Sequence, residues 1–135
     1  MDATHTAPDE DLAWVGDFST TVIVLRGDHA REGNWQALLN RLRRNPRPTV
    51  LRILGDAHLG VRRRGELAEA LGSKVRVAAL VDSERGRGLA TALRWLGAEV
   101  DIFDHGDVQA AGRHLGLAST KIRNMTSPLI HAGLV

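Results

Sequence analysis

Aspartate and histidine recur together where apolar runs end: Asp28-His29, Asp56 with His58, and Asp104-His105, with Asp82 closing a further run. Carboxylates and imidazoles in one place could hold a divalent cation. The same residue types are also common in turns and helix caps, and none of these spacings is a metal-ligand motif. No metal and no cofactor is therefore expected. A second constellation is cationic. Residues 41–64 carry eight arginines (Arg41, Arg43, Arg44, Arg47, Arg52, Arg62, Arg63, Arg64) against one acid, Asp56. Arginine is suited to two-pronged contacts with carboxylate or phosphate. Arg62-Arg63-Arg64 follows Gly60 at the start of a helical pattern, where free N–H groups favour anions. Three adjacent arginines spread over most of a helix circumference, so they cannot all face one ligand. The segment Ser83-Glu84-Arg85-Gly86-Arg87-Gly88 has the look of a phosphate loop but lacks its Lys-Ser/Thr ending and its glycine spacing. Ser83 reads as a helix cap.

The rest of the composition narrows the classes. The chain has 135 residues, 43% hydrophobic, which is one domain's worth of core. It has no cysteine, so a disulfide scaffold, a thiolate zinc site and cysteine catalysis are excluded. Apolar runs reach only four or five residues, as at 78–81, too short for a membrane span. Acids stand at the N-terminus where a secretory signal would carry basic residues; the expectation is a soluble, cytoplasmic protein. The net charge is +2, yet four acids lie within residues 1–11 and leave the remainder at +6. Arginine outnumbers lysine 16 to 2. A GC-rich coding bias would produce the same excess as a working surface. Five aromatic residues, none of them Tyr, argue against stacking on single-stranded nucleic acid. No nucleophile–base pair is visible.

Positioning these residues falls to alternating strands and helices. Residues 1–10 read as a mobile acidic tail. Leu12–Phe18 and Thr20–Arg26 are short β-rich runs, close enough to form a hairpin. A helical pattern then runs over 31–44, with Trp35, Leu38, Leu39 and Leu42 on one face, stopped by Asn45-Pro46-Arg47-Pro48. Thr49–Leu54 is a strand, 55–60 a loop, and 62–71 a helix ended by Gly72. Val75–Val81 is apolar almost throughout and so central. Asp82 or Ser83 caps the next helix, Glu99–Phe103 alternates as a half-buried strand, and 107–115 forms a last helix. Trp35 and Trp95 are both expected on the sheet-facing sides of their helices. Residues 118–135 read as a tail broken by Ser119, Thr120, Ser127, Pro128 and Gly133, with one docked segment at Leu129-Ile130. The order β-β-α-β-α-β-α-β-α implies a mixed, mostly parallel sheet opened by a hairpin. Residues 11–117 form its single α/β domain.

Three segments carry a family likeness. They are the valine-rich strand ending in Arg26-Gly27-Asp28, the run from Val75 to Ser83 entering a helix, and the strand from Val100 to Asp104 followed by Asp107–Gly116. Together they resemble the STAS domain, shared by anti-sigma-factor antagonists and the cytoplasmic ends of sulfate transporters, and are closest to small STAS/SEC14-like bacterial proteins. The likeness spans residues 12–117. It implies a non-enzymatic interaction module in a bacterial regulatory or scaffold assembly. Anti-sigma antagonists carry a phosphorylatable Ser or Thr where the third strand meets its helix. Here that loop reads Leu54-Gly55-Asp56-Ala57-His58-Leu59-Gly60-Val61-Arg62 and has no hydroxyl, which implies a module without kinase control. The expected partner is an acidic protein meeting Arg41, Arg44, Arg62, Arg63 and Arg64; a second copy of the chain is a further candidate and nucleic acid is not expected. The alternative reading, implied by the SEC14-like kinship, is a small anion or lipid headgroup held near Asp56, His58, Asp82 and Ser83.

Overall fold

A strand followed by a helix and a parallel strand closes with one hand, and three such units stepping in one direction must lay all their helices on one face of the sheet. That rule organises this chain. A computed structural model describes residues 8–131. β1 (Leu12–Gly16) and β2 (Thr21–Leu25) pair antiparallel, with Leu12 opposite Leu25 and Gly16 opposite Thr21. From β2 the chain passes through α1 (Glu32–Arg44) to β3 (Thr49–Ile53), through α2 (Val61–Leu71) to β4 (Arg76–Val81), and through α3 (Glu84–Trp95) to β5 (Glu99–Asp104). These strands are parallel, and sheet order follows chain order. The fold is α/β, with a five-stranded mixed sheet of one antiparallel pair and three parallel ones.

Period two then divides the core. Ile23, Leu51, Ile53, Val77, Ala79 and Val81 pack with α1, α2 and α3 in one cluster. Val22, Val50, Ala78 and Leu80 pack on the other face, under α4 (Val108–Leu115) and α5 (Ser119–His131). With both faces covered, β2 and β3 are buried at every residue. On β3, Arg52 stands in register between Val24 and Leu80, and so on the face covered by α4 and α5.

Three local outcomes differ from the sequence expectation. Residues 119–131 are helix α5 rather than a tail. Their apolar positions Ile122, Met125 and Leu129 recur at helical spacing and dock on the sheet; Ile122 is 1% exposed. Pro128 falls late in that helix, where its missing N–H would have met Asn124, an exposed residue. Lys121 Nζ pairs with Asp17 Oδ2 at 3.0 Å and hydrogen-bonds Ser19 Oγ, fastening α5 to the hairpin turn. At the other end Arg26 donates to the carbonyls of Leu129 and Ile130, where the helix dipole favours a cation.

Second, part of the acidic N-terminal tail belongs to the fold. Asp9 Oδ1 accepts from the backbone N–H groups of Asp11 (2.9 Å) and Leu12 (2.8 Å), and its Oδ2 from Arg31 N and Asn34 Nδ2, both at 3.0 Å. Residues 1–7 of that tail and 132–135 of the C-terminal one lie outside the described residues. Third, Trp35 is buried as expected but Trp95 is 84% exposed. The inner face of α3 is set by Gly86, Leu89, Ala90 and Leu93. Trp95, two residues past Leu93, is turned about 200° around the helix from it.

Candidate functional site

Arginines placed on a folded scaffold are first claimed by the carbonyls and carboxylates within reach, because a buried cation without partners is costly. Most of the expected arginine surface is claimed in this way. Arg41 is 8% exposed; it donates to Thr21 Oγ1 at 3.1 Å and to the carbonyls of Asp17 and Thr20. Gly16 lies against it, and a Cβ at that position would fall on the guanidinium. Arg63 is equally buried, stacks 4.9 Å over the Trp35 ring, and donates to Ala30 O (2.9 Å) and Glu32 Oε2 (3.2 Å). Arg62 pairs with Glu66 at 3.1 Å and Glu32 at 3.6 Å, and Arg43 with Glu69 at 2.6 Å. Arg47 donates to the carbonyl of Phe18 at 2.7 Å.

Arg44 and Arg64 are left without a side-chain partner among the described residues. They do not share a surface. Arg44 ends α1, beside the start of β3, whereas Arg64 lies in the first turn of α2, beyond the end of β3. A five-residue strand separates those edges by roughly 16 Å. The five arginines Arg41, Arg44, Arg62, Arg63 and Arg64 thus do not form one face: two are buried and the two unpartnered ones stand at opposite edges.

The alternative set divides too. Asp82 Oδ1 accepts from Gly55 N at 2.8 Å, and Ser83 Oγ donates to Gly55 O at 2.6 Å while accepting from Gly86 N at 3.0 Å. The two side chains pin Gly55, whose φ of +56° turns the chain out of β3, and Ser83 caps α3 as its residue type suggested. Asp56 and His58 are exposed on the loop so held. The Asp-His pairs stay apart: Asp28 accepts from Gly60 N at 2.8 Å, and Asp104 pairs with Arg87 at 2.9 Å. Among the described residues no three Asp, Glu or His side chains are grouped to hold a metal ion.

The structure does bring together His58, Arg64 and Arg85. With Leu59, Gly88 and Leu89 they line a pocket of about 410 Å³ at the carboxyl edge of the sheet, between α2 and α3. None of the three polar side chains has a partner among the described residues. Gly88 leaves the α3 wall bare, and a Cβ there would meet nothing within 4 Å. Arg64 and Arg85 both lie in the first turns of their helices, where the backbone adds positive potential. The arrangement suits a carboxylate or a phosphoryl group: two guanidiniums, an imidazole and two helix starts, over an apolar floor. Arg85 lies in the segment that looks like a phosphate loop, but only the packing of α3 beside α2 aims it at Arg64. Comparison with known proteins finds no matching family model, no matching curated protein and no matching solved structure. No described helix is long and apolar enough to cross a membrane.

Proposed function

We propose that this chain is a non-enzymatic, STAS-like interaction module of a bacterial cytoplasmic assembly, and that it recognises an acidic group of a protein partner in the pocket of His58, Arg64 and Arg85. The observation that carries the reading is the separation of its arginines. Those of α1, β3 and α2 that can reach an acid or a carbonyl are bonded internally, while Arg64 and Arg85 converge unpartnered on one open pocket. Unpartnered arginines repel each other, and an incoming carboxylate relieves that repulsion while forming charge-assisted hydrogen bonds. The pocket takes His58 and Leu59 from the β3–α2 loop, the place at which the STAS resemblance puts a phosphorylatable residue, and the missing hydroxyl there suits binding without kinase control. Its volume also falls within the range of small-ligand sites, which favours a free small anion as the second reading.

The test is fluorescence anisotropy with a labelled glutamate-rich peptide. The expected result is salt-sensitive binding that is lost in the double reversal Arg64→Glu, Arg85→Glu and kept in Arg44→Glu, which reverses an exposed charge at the far edge. Equal loss in both variants would reduce the effect to net charge and overturn the reading. Competition by inorganic phosphate with no peptide binding would favour the second reading.

A further inference from the structure

A buried arginine normally finds hydrogen-bond acceptors at ordinary distance. Arg52 does not. It is 9% exposed, the fourth of the five residues of β3, and its two bonds, to Leu80 O at 3.3 Å and to Asp82 Oδ2 at 3.4 Å, are both long. Asp82 is also shared with Gly55 N. Burial accordingly holds the Arg52 pKa below its ordinary value, with Asp82 opposing the shift.

Beside this guanidinium lies a cavity of about 180 Å³ between the sheet and α5. Its lining contains three basic side chains, Arg52, His105 and Arg123, and no carboxylate. Arg123 has no partner among the described residues. The remaining walls are mainly apolar, from Leu80, Ile122 and Ile130. The neighbouring cleft at the ends of β4 and β5 is of mixed charge instead: Asp82, Glu84 and Asp104 line it together with Arg87 and His105, and Arg87 is already paired with Asp104. A cavity of roughly 150 Å³ can take up a benzene ring. The space under α5 thus combines a partly desolvated fixed cation, a second cation beside the opening, and room for one small apolar body.

We propose that the cavity between β3, β4 and α5 is a binding site for a small monocarboxylate with an apolar body up to the size of a benzene ring. Its carboxylate meets Arg52, and Arg123 closes over it. This site is separate from the pocket of His58, Arg64 and Arg85, which opens on the other face of the sheet. Because Ile122 and Ile130 belong to α5, an occupant also braces that helix against the sheet.

Benzoate is the probe and benzamide, its neutral analogue of the same shape, the control. In amide-resolved NMR of the full chain, benzoate is expected to shift the resonances of Arg52, Leu80, Ile122 and Arg123 in the millimolar range or below, and benzamide to bind at least about tenfold more weakly. Arg123→Gln, an exposed change that leaves the fold intact, should weaken benzoate several-fold and leave benzamide unchanged. Arg52→Met should abolish the preference between the two. If Arg52→Met does not fold, the benzoate-to-benzamide ratio in the wild type and in Arg123→Gln still decides. Equal binding of the two compounds, no binding of either, or benzoate shifts confined to Leu59, Arg64 and Arg85 would overturn the proposal.

Discussion

Asp17 sits in the turn between β1 and β2, and its carboxylate is held down to about 2 from the usual 3.8. Burial alone would raise it; hydrogen bonds from the backbone of Ser19 and Thr20, the Ser19 hydroxyl and Lys121 more than reverse that. The side chain is only 22% exposed, so screening by solvent is partial. A folded pKa below the unfolded one contributes stability that is fully present above about pH 4 and is lost as pH falls through about 2. A separation of nearly two units at 1.36 kcal/mol each makes the contribution about 2 kcal/mol. Asp17→Asn keeps an oxygen for the turn but loses the charge facing Lys121. Urea unfolding of both proteins should show the variant less stable by about 2 kcal/mol near neutral pH, with unchanged denaturant slope, and the two converging near pH 2. The comparison isolates Asp17 from Asp9, whose pKa is also lowered and which both proteins retain. A difference that stays constant across that pH range would refute the reasoning and reduce Asp17 to a turn-former that does not clamp α5.

Three further outcomes follow from the packing. Arg41→Met should cost about 3 kcal/mol in urea unfolding, because it strips hydrogen bonds from Thr21, Asp17 and Thr20 in a buried place; a neutral result would return Arg41 to the surface. Trp35→Ala should cost about 3–5 kcal/mol, whereas Trp95→Ala should stay within about 0.5 kcal/mol by the same measurement. Gly88→Ala should stabilise the fold by about 0.5–1 kcal/mol, since its Cβ meets no atom and glycine is a poor helix former. Calorimetry checks that gain, and the glutamate-rich peptide should bind the variant more weakly because the methyl narrows the pocket.

The hairpin and the crossovers were legible because each rests on local pattern: β-branched runs, helical spacing, and Pro or Gly at the breaks. The apolar run of β4 marked an interior strand, but the middle of the sheet is β3, with β4 one place from the edge strand β5. Helix α5 was hidden by Pro128 and by hydroxyl residues that break helices in isolation. Its stability comes from docking, with Ile122 buried, Lys121 on Asp17 and Arg26 on its last carbonyls, all long-range. Trp95 misled because a large apolar side chain near a helix end invites burial, while the phase of α3 was already set by Leu89 and Leu93. The candidate site was legible only in part. His58 and Arg64 were visible as residues of interest, yet a run of like charges in sequence does not say which members face solvent. Arg41, Arg52 and Arg63 are drawn inward by carbonyls and by an aromatic ring that only the assembled sheet supplies. Arg85 joins Arg64 through helix packing, about which sequence spacing carries no signal.

The central claim is that the pocket between α2 and α3, rather than a diffuse basic surface, receives an acidic group. Amide-resolved NMR titration with a glutamate-rich peptide tests it most directly. The expected result is a contiguous set of shifts at Leu59, Arg64, Arg85, Gly88 and Leu89 that saturates with a single affinity and vanishes in the Arg64→Glu, Arg85→Glu protein. Shifts scattered over Arg44, Arg47 and Arg113, with no saturation and no dependence on Arg64 or Arg85, would contradict it.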